Sequence, residues 1–237
     1  MKLTTVLFDL DGTLLPMDLE RFTKTYLCEL TKYLAKNGYD AARAEKGVWA
    51  GIIAMFQNDG SRTNEQAYWD AFSTFFGEDK RGDLPIFDRF YRERFDDVSA
   101  VCGYTERARE AVDYLKQRGV RLVLATNPAF PAIATEKRAR WAGLEPKDFT
   151  LITTYETSSR CKPSLDYYRE ILARLGASPE ECLMVGNDVS EDMVVETLGM
   201  KVFLLTDDLI NRRGDDISRY PHGGYDALMK YLEENFG

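Results

Sequence analysis

Histidine and cysteine are scarce in this chain of 237 residues. The one histidine, His222, lies in the turn-rich string Tyr-Pro-His-Gly-Gly. A single histidine argues against a histidine-based zinc cluster and against a Ser-His-Asp triad. The four cysteines (Cys28, Cys102, Cys161 and Cys182) are scattered without a Cys-x-x-Cys spacing, which favours reduced thiols in a cytoplasmic protein. We therefore expect the chemistry to rely on carboxylates, hydroxyls and lysine.

The sequence also lacks long apolar runs and an excess of positive charge. No run approaches the length that spans a bilayer, and the first residues show no signal-peptide profile, so we expect no membrane partner and a cytoplasmic location. Acidic residues outnumber basic ones by 39 to 31, giving a net charge of -8, which argues against nucleic acid as the main partner. With 44% hydrophobic and 30% charged residues, the chain can form one large domain or two moderate ones.

Two aspartates follow the first apolar run of the chain. Val6, Leu7 and Phe8 suit a strand buried on both faces, and Asp9 and Asp11 follow one residue apart. Because side chains alternate along an extended chain, both carboxylates are expected to project the same way. One interpretation is an ordinary turn rich in Asp and Gly. The other is a Mg²⁺ site, since a divalent cation relieves the repulsion between two close carboxylates.

Residues 16–98 have a helical pattern. Apolar and aromatic residues recur there at helical spacing in four segments. Asp40 and either Thr63 or Asn64 are placed to cap two of the helices, and Pro85 suits the first turn of the fourth. We interpret the aromatic stripes as the core of a small helical bundle rather than as a cofactor site. Residues 16–98 are therefore predicted to form an inserted helical domain.

From Tyr104 onward, helices alternate with short apolar strands. The predicted strands cover residues 121–126, 149–154, 182–186 and 201–205. Thr105 and Ser164 are expected to cap two of the intervening helices, and Ser190 is expected to open another that ends at Gly199. Strands that alternate with helices of this length predict a parallel sheet with helices on both faces.

Three further motifs follow predicted strands. Thr126 and Asn127 offer a hydroxyl and amide donors for phosphate oxygens, Lys162 precedes a helix, and Asp188 and Asp192 follow another strand. Each has a plainer interpretation: a turn threonine, a surface lysine, or acids that favour a helix dipole. Because the carboxyl ends of parallel strands share one edge of a sheet, we nevertheless expect these groups to meet Asp9.

The string Phe-Asp-Leu-Asp-Gly-Thr-Leu at residues 8–14 closely resembles the first motif of the haloacid dehalogenase-like (HAD) hydrolase superfamily, which consists mostly of Mg²⁺-dependent phosphatases. Thr126, Lys162 and Asp188 follow in the order of that family's later motifs. One departure is Asn187, which gives Gly-Asn-Asp where many relatives have Gly-Asp. Four short motifs in family order carry more weight together than any one of them alone.

The resemblance implies a fold and a division of the chain. The expected fold is α/β, a doubly wound parallel sheet (a Rossmann-like HAD core) with an inserted α-helical bundle as a cap domain. Residues 1–15 and 99–237 would form the catalytic core, and residues 16–98 the cap. A helical cap at this place is similar to that of the subgroup that contains phosphoglycolate phosphatase and β-phosphoglucomutase. Hinges are expected near Leu15-Pro16 and Ser99-Val101.

The resemblance also implies the chemistry of phosphomonoester hydrolysis through an aspartyl-phosphate. Asp9 would be the nucleophile. Asp11 would protonate the leaving oxygen and then activate water. Lys162 would neutralise charge on the nucleophile and the phosphate, and Thr126 and Asn127 would bind the phosphate with it.

A cofactor follows from the same resemblance. Mg²⁺ would be held by Asp9, by the backbone carbonyl of Asp11 and by Asp188. Asp192 would organise the groups around these ligands. The partner that the resemblance implies is a small-molecule phosphomonoester.

Other functions share the same residues. A phosphomutase of the β-phosphoglucomutase type uses the same machinery but returns the phosphoryl group to a bound sugar. A non-catalytic binding protein on the same scaffold is a second alternative, and a 2-haloacid dehalogenase is disfavoured because it needs neither Asp11 nor Asp188. Arg62, Met17 and Asp18 are candidates for the substrate pocket, and an arginine in a solvated loop is the plainer interpretation of Arg62. No motif within residues 16–98 names a substrate, and the sequence does not predict an oligomeric state.

Overall fold

A six-stranded parallel sheet forms the centre of the molecule. The computed structural model describes residues 2–237. The strands are β1 (Thr5–Phe8), β2 (Arg121–Leu124), β3 (Leu151–Ile152), β4 (Cys182–Gly186), β5 (Lys201–Leu205) and β6 (His222–Gly223). Their order is β3-β2-β1-β4-β5-β6, and each neighbouring pair is parallel. The winding reverses between β1 and β4, which is where ligands bind in open α/β sheets.

The strand predictions differ from the structure mainly at the edges of the sheet. Strands β4 and β5 have the predicted bounds, whereas β2 and β3 are shorter than predicted. Sheet-like bonds still flank β3, because the Thr150 amide donates to the Leu122 carbonyl at 2.8 Å and the Thr153 amide to the Leu124 carbonyl at 3.1 Å. The sequence pattern does not predict β6, since its two residues lie in a string that favours a turn.

Four helices follow β1 before the chain returns to the sheet. They are α1 (Leu19–Lys36), α2 (Ala41–Phe56), α3 (Asn64–Phe76) and α4 (Leu84–Glu93), followed by a 3₁₀ helix at Phe95–Val101. The Asp40 side chain caps α2, and Thr63 caps α3 in a capping box with Gln66. These local signals are the reason the helix starts are readable from the sequence.

Four more helices flank the sheet: α5 (Glu106–Gln117), α6 (Ala132–Trp141), α7 (Leu165–Leu175) and α8 (Tyr225–Phe236). Thr105 and Ser164 cap α5 and α7 as predicted. No helix among residues 2–237 combines the length and the apolar character that crossing a membrane requires.

The predicted helix from Ser190 to Gly199 is wrong in its start and its type. The structure has a 3₁₀ helix at Met193–Leu198. The amide and hydroxyl of Ser190 both donate to Asp188 Oδ1, at 2.8 and 2.7 Å, so the chain first turns around that carboxylate. Ser190 therefore serves the Asp188 turn instead of opening a helix.

Side chains of β1 alternate between two cores. Val6 and Phe8 belong to a large cluster that continues into helices α1–α4, and Leu7 belongs to a second cluster with residues of α7 and β4. Burial of both faces explains why the strand reads as a continuous apolar run. It also leaves the carboxyl end of β1 as the place where polar side chains can emerge.

The start of α3 joins the helical segment to the loops that follow β2 and β3. The buried Asn64 side chain donates to the Pro128 carbonyl at 3.1 Å, and its backbone amide donates to the Ser158 carbonyl at 2.8 Å. Arg160 in turn donates to the Asn58 carbonyl at 2.8 Å. These bonds hold the helical segment over the carboxyl edge of the sheet.

Candidate active site

Asp9 lies where β1 meets β4. Its amide donates to the Val185 carbonyl at 2.9 Å, which continues the β1–β4 pairing and places the side chain at the carboxyl edge of the sheet. Lys162 Nζ donates to Asp9 Oδ1 at 2.7 Å, and the Thr13 hydroxyl lies 3.3 Å from Oδ2. The carboxylate is buried, yet it lines a cavity. Asp9 is thus a fixed carboxylate with one face open to a ligand.

Lys162 is a fully enclosed ammonium between two carboxylates. Its Nζ lies 2.7 Å from Asp9 Oδ1 and 2.7 Å from Asp192 Oδ1. Burial lowers the pKa of Lys162, but the charges of Asp192 and Asp9 outweigh the effect of burial. Together these effects raise the pKa of Lys162 well above its ordinary value. Burial raises the pKa of Asp192, and Lys162 opposes that rise. Lys162 therefore stays charged, and the three groups form one unit.

Asp188 and Asp192 form a tight turn after β4. Asp192 Oδ2 accepts from the Asp188 amide at 3.0 Å, and Asp188 Oδ1 accepts from the amides of Ser190 and Glu191 at 2.8 and 3.0 Å. A Cβ at Gly186 would lie 2.2 Å from Asp192 Oδ2, so only glycine leaves room for the carboxylate. Asp188 Oδ2 accepts from the exposed Arg212 at 2.9 Å.

Asn187, the residue that departs from the family pattern, ties the two acidic loops together. Its side-chain oxygen accepts from the Thr13 hydroxyl at 3.1 Å, and its amide nitrogen donates to the Asp208 carbonyl at 2.6 Å. Gly12 has a φ of +82°, and a Cβ there would lie 2.2 Å from the Asn187 amide nitrogen. Asn187 thus occupies the space that the glycine turn leaves free.

Thr126 and Asn127 follow β2 at the same edge. Both line the cavity, and Thr126 is buried with its carbonyl accepting from Thr153 at 2.7 Å and from Tyr167 at 2.9 Å. The Asn127 side chain accepts from the Lys162 amide at 3.3 Å and donates to Glu191 at 3.2 Å. These bonds fix the loop that carries the predicted phosphate-binding groups.

Glu191 is a further acidic residue of the site, which the sequence analysis does not single out. It lines the cavity beside Asn127. Burial raises the pKa of its carboxyl to about 7, the Asp188 and Asp9 charges add to the rise, and Lys162 opposes it. A carboxyl with such a pKa is able to hold a proton near neutrality.

Asp11 pairs with Arg138, a residue that no sequence signal marks. Arg138 is 0% exposed on α6, donates from Nη1 to Asp11 Oδ2, and packs over the Phe130 ring with the guanidinium carbon 4.3 Å from the ring centroid. Burial raises the pKa of Asp11, the Asp9 charge adds to the rise, and Arg138 opposes it. Asp11 Oδ1 is buried without a hydrogen-bond partner among residues 2–237. Only the packing of α6 brings this arginine to the first motif.

A cavity of about 280 Å³ joins these groups to the helical segment. Five acidic side chains line its sheet end: Asp9, Asp11, Asp188, Glu191 and Asp192. Nine aromatic side chains line the rest, including residues of α1, α2, α3 and α4. The sequence interpretation of the aromatic stripes as bundle core is therefore incomplete, because Trp49 and Tyr68 also face a cavity.

The three pocket candidates from the helical segment do not line this cavity. Arg62 is exposed and pairs with Asp70 at 2.5 Å. Met17 and Asp18 lie at a separate shallow depression. The expectation that any of them contacts the leaving group is not supported by their placement.

The donor set fits Mg²⁺ by its chemistry. Among residues 2–237, no three acidic, histidine or cysteine side chains are grouped so as to hold a metal by themselves. Asp9 and Asp188 nevertheless line the same cavity, next to the buried Asp11 Oδ1 that lacks a partner, and every candidate ligand is an oxygen. A cation there would need a backbone, water or substrate oxygen as well, which is usual for Mg²⁺.

The comparison with protein families identifies the family to which the chain belongs. Residues 3–194 match the model of the haloacid dehalogenase-like hydrolases. The chain belongs to this family. Its strand order, with Asp9 at the reversal between β1 and β4, is the α/β core that the first motif implied, and the protein is an HAD-like hydrolase.

Individual relatives are distant but cover most of the chain. The pyrophosphatase PpaX of Bacillus mycoides (strain KBAB4) is 26% identical over 202 residues, which cover 85% of this chain and 82% of PpaX. An HAD phosphatase from Thermococcus onnurineus matches the fold with a TM-score of 0.59 at 20% identity, covering 100% of both chains. The HAD hydrolase YfnB of Bacillus subtilis, crystallised with magnesium and described as showing interdomain movement, has a TM-score of 0.56 at 19% identity and covers 98% of this chain and 99% of its own.

Proposed function

We propose that this HAD hydrolase is a Mg²⁺-dependent phosphatase that hydrolyses a small phosphorylated metabolite through an aspartyl-phosphate on Asp9. The observation that carries the proposal is the position of Asp9, which is held by Lys162 at 2.7 Å and faces a cavity. A buried carboxylate with a fixed ammonium beside it is suited to attack phosphorus, because the ammonium offsets the repulsion between two anions.

The two steps divide between Asp9 and Asp11. Asp9 attacks phosphorus, the bond to the leaving oxygen breaks, and Asp11 donates a proton to that oxygen. Water then attacks the phosphoryl group on Asp9 while Asp11 takes up a proton, which releases phosphate and restores both carboxyl groups. The raised pKa of Asp11, caused mainly by burial, favours the protonated form that the first step needs.

The remaining groups hold the phosphate and the cation. Thr126, Asn127 and Lys162 would bind phosphoryl oxygens. Asp9, the Asp11 carbonyl and Asp188 would hold Mg²⁺, which when bound would neutralise charge on the phosphate. Asp192 fixes the geometry, because one of its oxygens binds Lys162 and the other binds the Asp188 amide.

We also propose that residues 1–15 and 99–237 act as the catalytic core and residues 16–98 as a cap. The two chain crossings run side by side, since Met17 and Cys102 form an antiparallel bridge and the Gly103 amide donates to the Pro16 carbonyl at 2.7 Å. Rotation at Leu15-Pro16 and Ser99-Val101 would move the cap as one piece. The interdomain movement described for YfnB supports this division.

The proposal is tested by phosphate release from acetyl phosphate, whose small leaving group makes few demands on the cavity. We expect turnover that requires Mg²⁺ and stops with a chelator, and a loss on the order of 10³-fold or more in Asp9→Asn. Asp226→Asn, at an exposed carboxylate of α8, is the matched control and should keep wild-type turnover. Full activity in Asp9→Asn would contradict the proposed nucleophile.

A further inference from the structure

The lining of the cavity divides sharply by charge. Its sheet end carries the five acidic side chains, whereas no lysine, arginine or histidine lines it anywhere along residues 2–237. The cations nearest to it are already engaged: Lys162 with Asp9, Arg138 with Asp11, and Arg212 with Asp188. A second phosphate or carboxylate on the leaving group would therefore lose water without gaining a positive partner, which is costly in a cavity of low polarity.

Aromatic side chains form the part of the cavity that would surround the leaving group. Among them, Tyr68, Trp69 and Phe87 are buried and pack edge to face, with the Trp69 and Phe87 ring centroids 5.0 Å apart. Their ring faces and edges offer offset or edge-to-face contacts to another ring.

The mouth of the cavity is unusually apolar for a surface. Trp49 and Phe56, two helical turns apart on α2, line the cavity and remain 40% and 49% exposed, and Leu19 of α1 lines it while 37% exposed. Large apolar side chains that ring an opening indicate that a ligand covers them. The volume of about 280 Å³ lies near the lower end for ligand cavities, which run from roughly 300 to 1,000 Å³.

We propose that the substrate is a phosphate monoester of a compact, uncharged alcohol that carries an aromatic ring. This inference rests on the phosphatase activity proposed above and specifies its leaving group. The aromatic side chains that line the cavity bind the ring of the substrate, the acidic end excludes a second anion, and Asp9 faces the single phosphate. The difference from a pyrophosphatase such as PpaX is chemical, because the leaving group of pyrophosphate is a second phosphate, which is inorganic and charged.

Two substrates isolate the effect of charge. Benzyl phosphate and 4-carboxybenzyl phosphate have the same ester bond and ring and differ by one carboxylate. We expect kcat/KM with Mg²⁺ to be at least about 30-fold higher for benzyl phosphate, which corresponds to about 2 kcal/mol. Equal values, or a preference for the carboxylate, would overturn the inference.

A third substrate isolates the effect of the ring. Cyclohexylmethyl phosphate has similar bulk without an aromatic face, and we expect its kcat/KM to be about 3- to 10-fold below that of benzyl phosphate. Equal values would overturn the aromatic part of the inference. Acetyl phosphate separates this failure from that of the phosphatase: turnover of acetyl phosphate without the expected preferences refutes only the leaving group, and no Mg²⁺-dependent turnover of any substrate refutes both.

A pair of variants tests whether the aromatic lining of the cavity binds the substrate. Phe56→Ala should lower kcat/KM for benzyl phosphate about fivefold more than for acetyl phosphate. Phe75→Ala removes the same side chain at 37% exposure on α3, outside the cavity, and should change neither value. The same change in kcat/KM in both variants would contradict binding of the substrate's ring by the aromatic lining of the cavity.

A gain-of-function variant tests whether the lack of a cationic side chain in the cavity lining sets the preference for an uncharged leaving group. Ile52→Arg places a positive charge in the cavity lining and should narrow the preference for benzyl over 4-carboxybenzyl phosphate at least about fivefold. Ile53→Arg adds the same charge one residue along α2, at an exposed position that does not line the cavity, and should leave the preference unchanged. An unchanged preference in a folded Ile52→Arg protein would contradict the inference.

Discussion

At one end of the cavity the acidic side chains are held by cations and backbone amides, and at the other end aromatic side chains pack edge to face against one another. The charged end is a connected network, in which Asp9, Lys162 and Asp192 cannot be separated without leaving a buried charge unpaired. The aromatic end is a set of separate contacts, each of which can be removed alone. On the function proposed above, the reaction and the choice of substrate would therefore be carried by physically different structures, the strand ends and the inserted helices.

The largest expected effect on stability comes from opening the charged network. Lys162→Met leaves Asp9 and Asp192 buried without their cation and should lower the free energy of unfolding by about 3–5 kcal/mol. Lys32→Met is the matched control, since the exposed Lys32 pairs with Glu29 on the surface of α1 and its loss should cost much less. Denaturant unfolding measures both. Similar losses in the two variants would show that the charged end is not a network.

A smaller effect is expected from the link between the two acidic loops. Asn187→Ala removes the bonds to Thr13 and Asp208 and should cost about 1–3 kcal/mol. Gly12→Ala should cost more than Gly176→Ala, because both have positive φ but only the Gly12 methyl group would meet Asn187. Adding Asn187→Ala to Gly12→Ala should remove that excess. Additive losses in the double variant would contradict the contact.

The smallest of these effects is a dependence of stability on pH. Glu191 has a pKa of about 7 in the folded protein against an ordinary value of 4.5, so the folded state holds the extra proton and stability falls as the pH rises from 4.5 to 7. The full difference in pKa corresponds to about 3 kcal/mol, and screening by water at this partly exposed carboxyl reduces it, so Glu191→Gln should remove a fall of roughly 1–2 kcal/mol when unfolding is measured without metal. Mg²⁺ should reduce the difference, because a cation near Asp188 lowers the Glu191 pKa. Parallel pH profiles of wild type and variant would contradict a raised pKa.

Local chemistry explains which parts of the fold are readable from the sequence. The caps at Asp40 and Thr63 depend on hydrogen bonds that reach three residues along the chain. The bounds of β4 and β5 follow from apolar runs that are buried on both faces of the sheet. The segment after Asp188 is misread because Ser190 bonds to a carboxylate two residues away, and the cap signal of a serine does not distinguish a helix from such a turn.

The candidate site divides in the same way. The positions of Asp9, Thr126 and Asp188 are set by their places at strand ends, so the sequence predicts that they meet. Arg138 reaches Asp11 from 127 residues away, and its partner is chosen by how α6 packs against the sheet. Glu191 is a similar case, since its raised pKa comes from burial that no residue pattern reveals.

The family, the parallel sheet and the acidic groups at its carboxyl edge are predictable from the sequence, because they depend on residue type and on short spacings along the chain. Which aromatic residues of the helices face a cavity and which fill the core is visible only in the folded protein, because both kinds occur at the same helical spacing. The same holds for which cations the acidic end already uses. Charge pairing and cavity shape are properties of surfaces brought together across the chain, and they define what the cavity can hold.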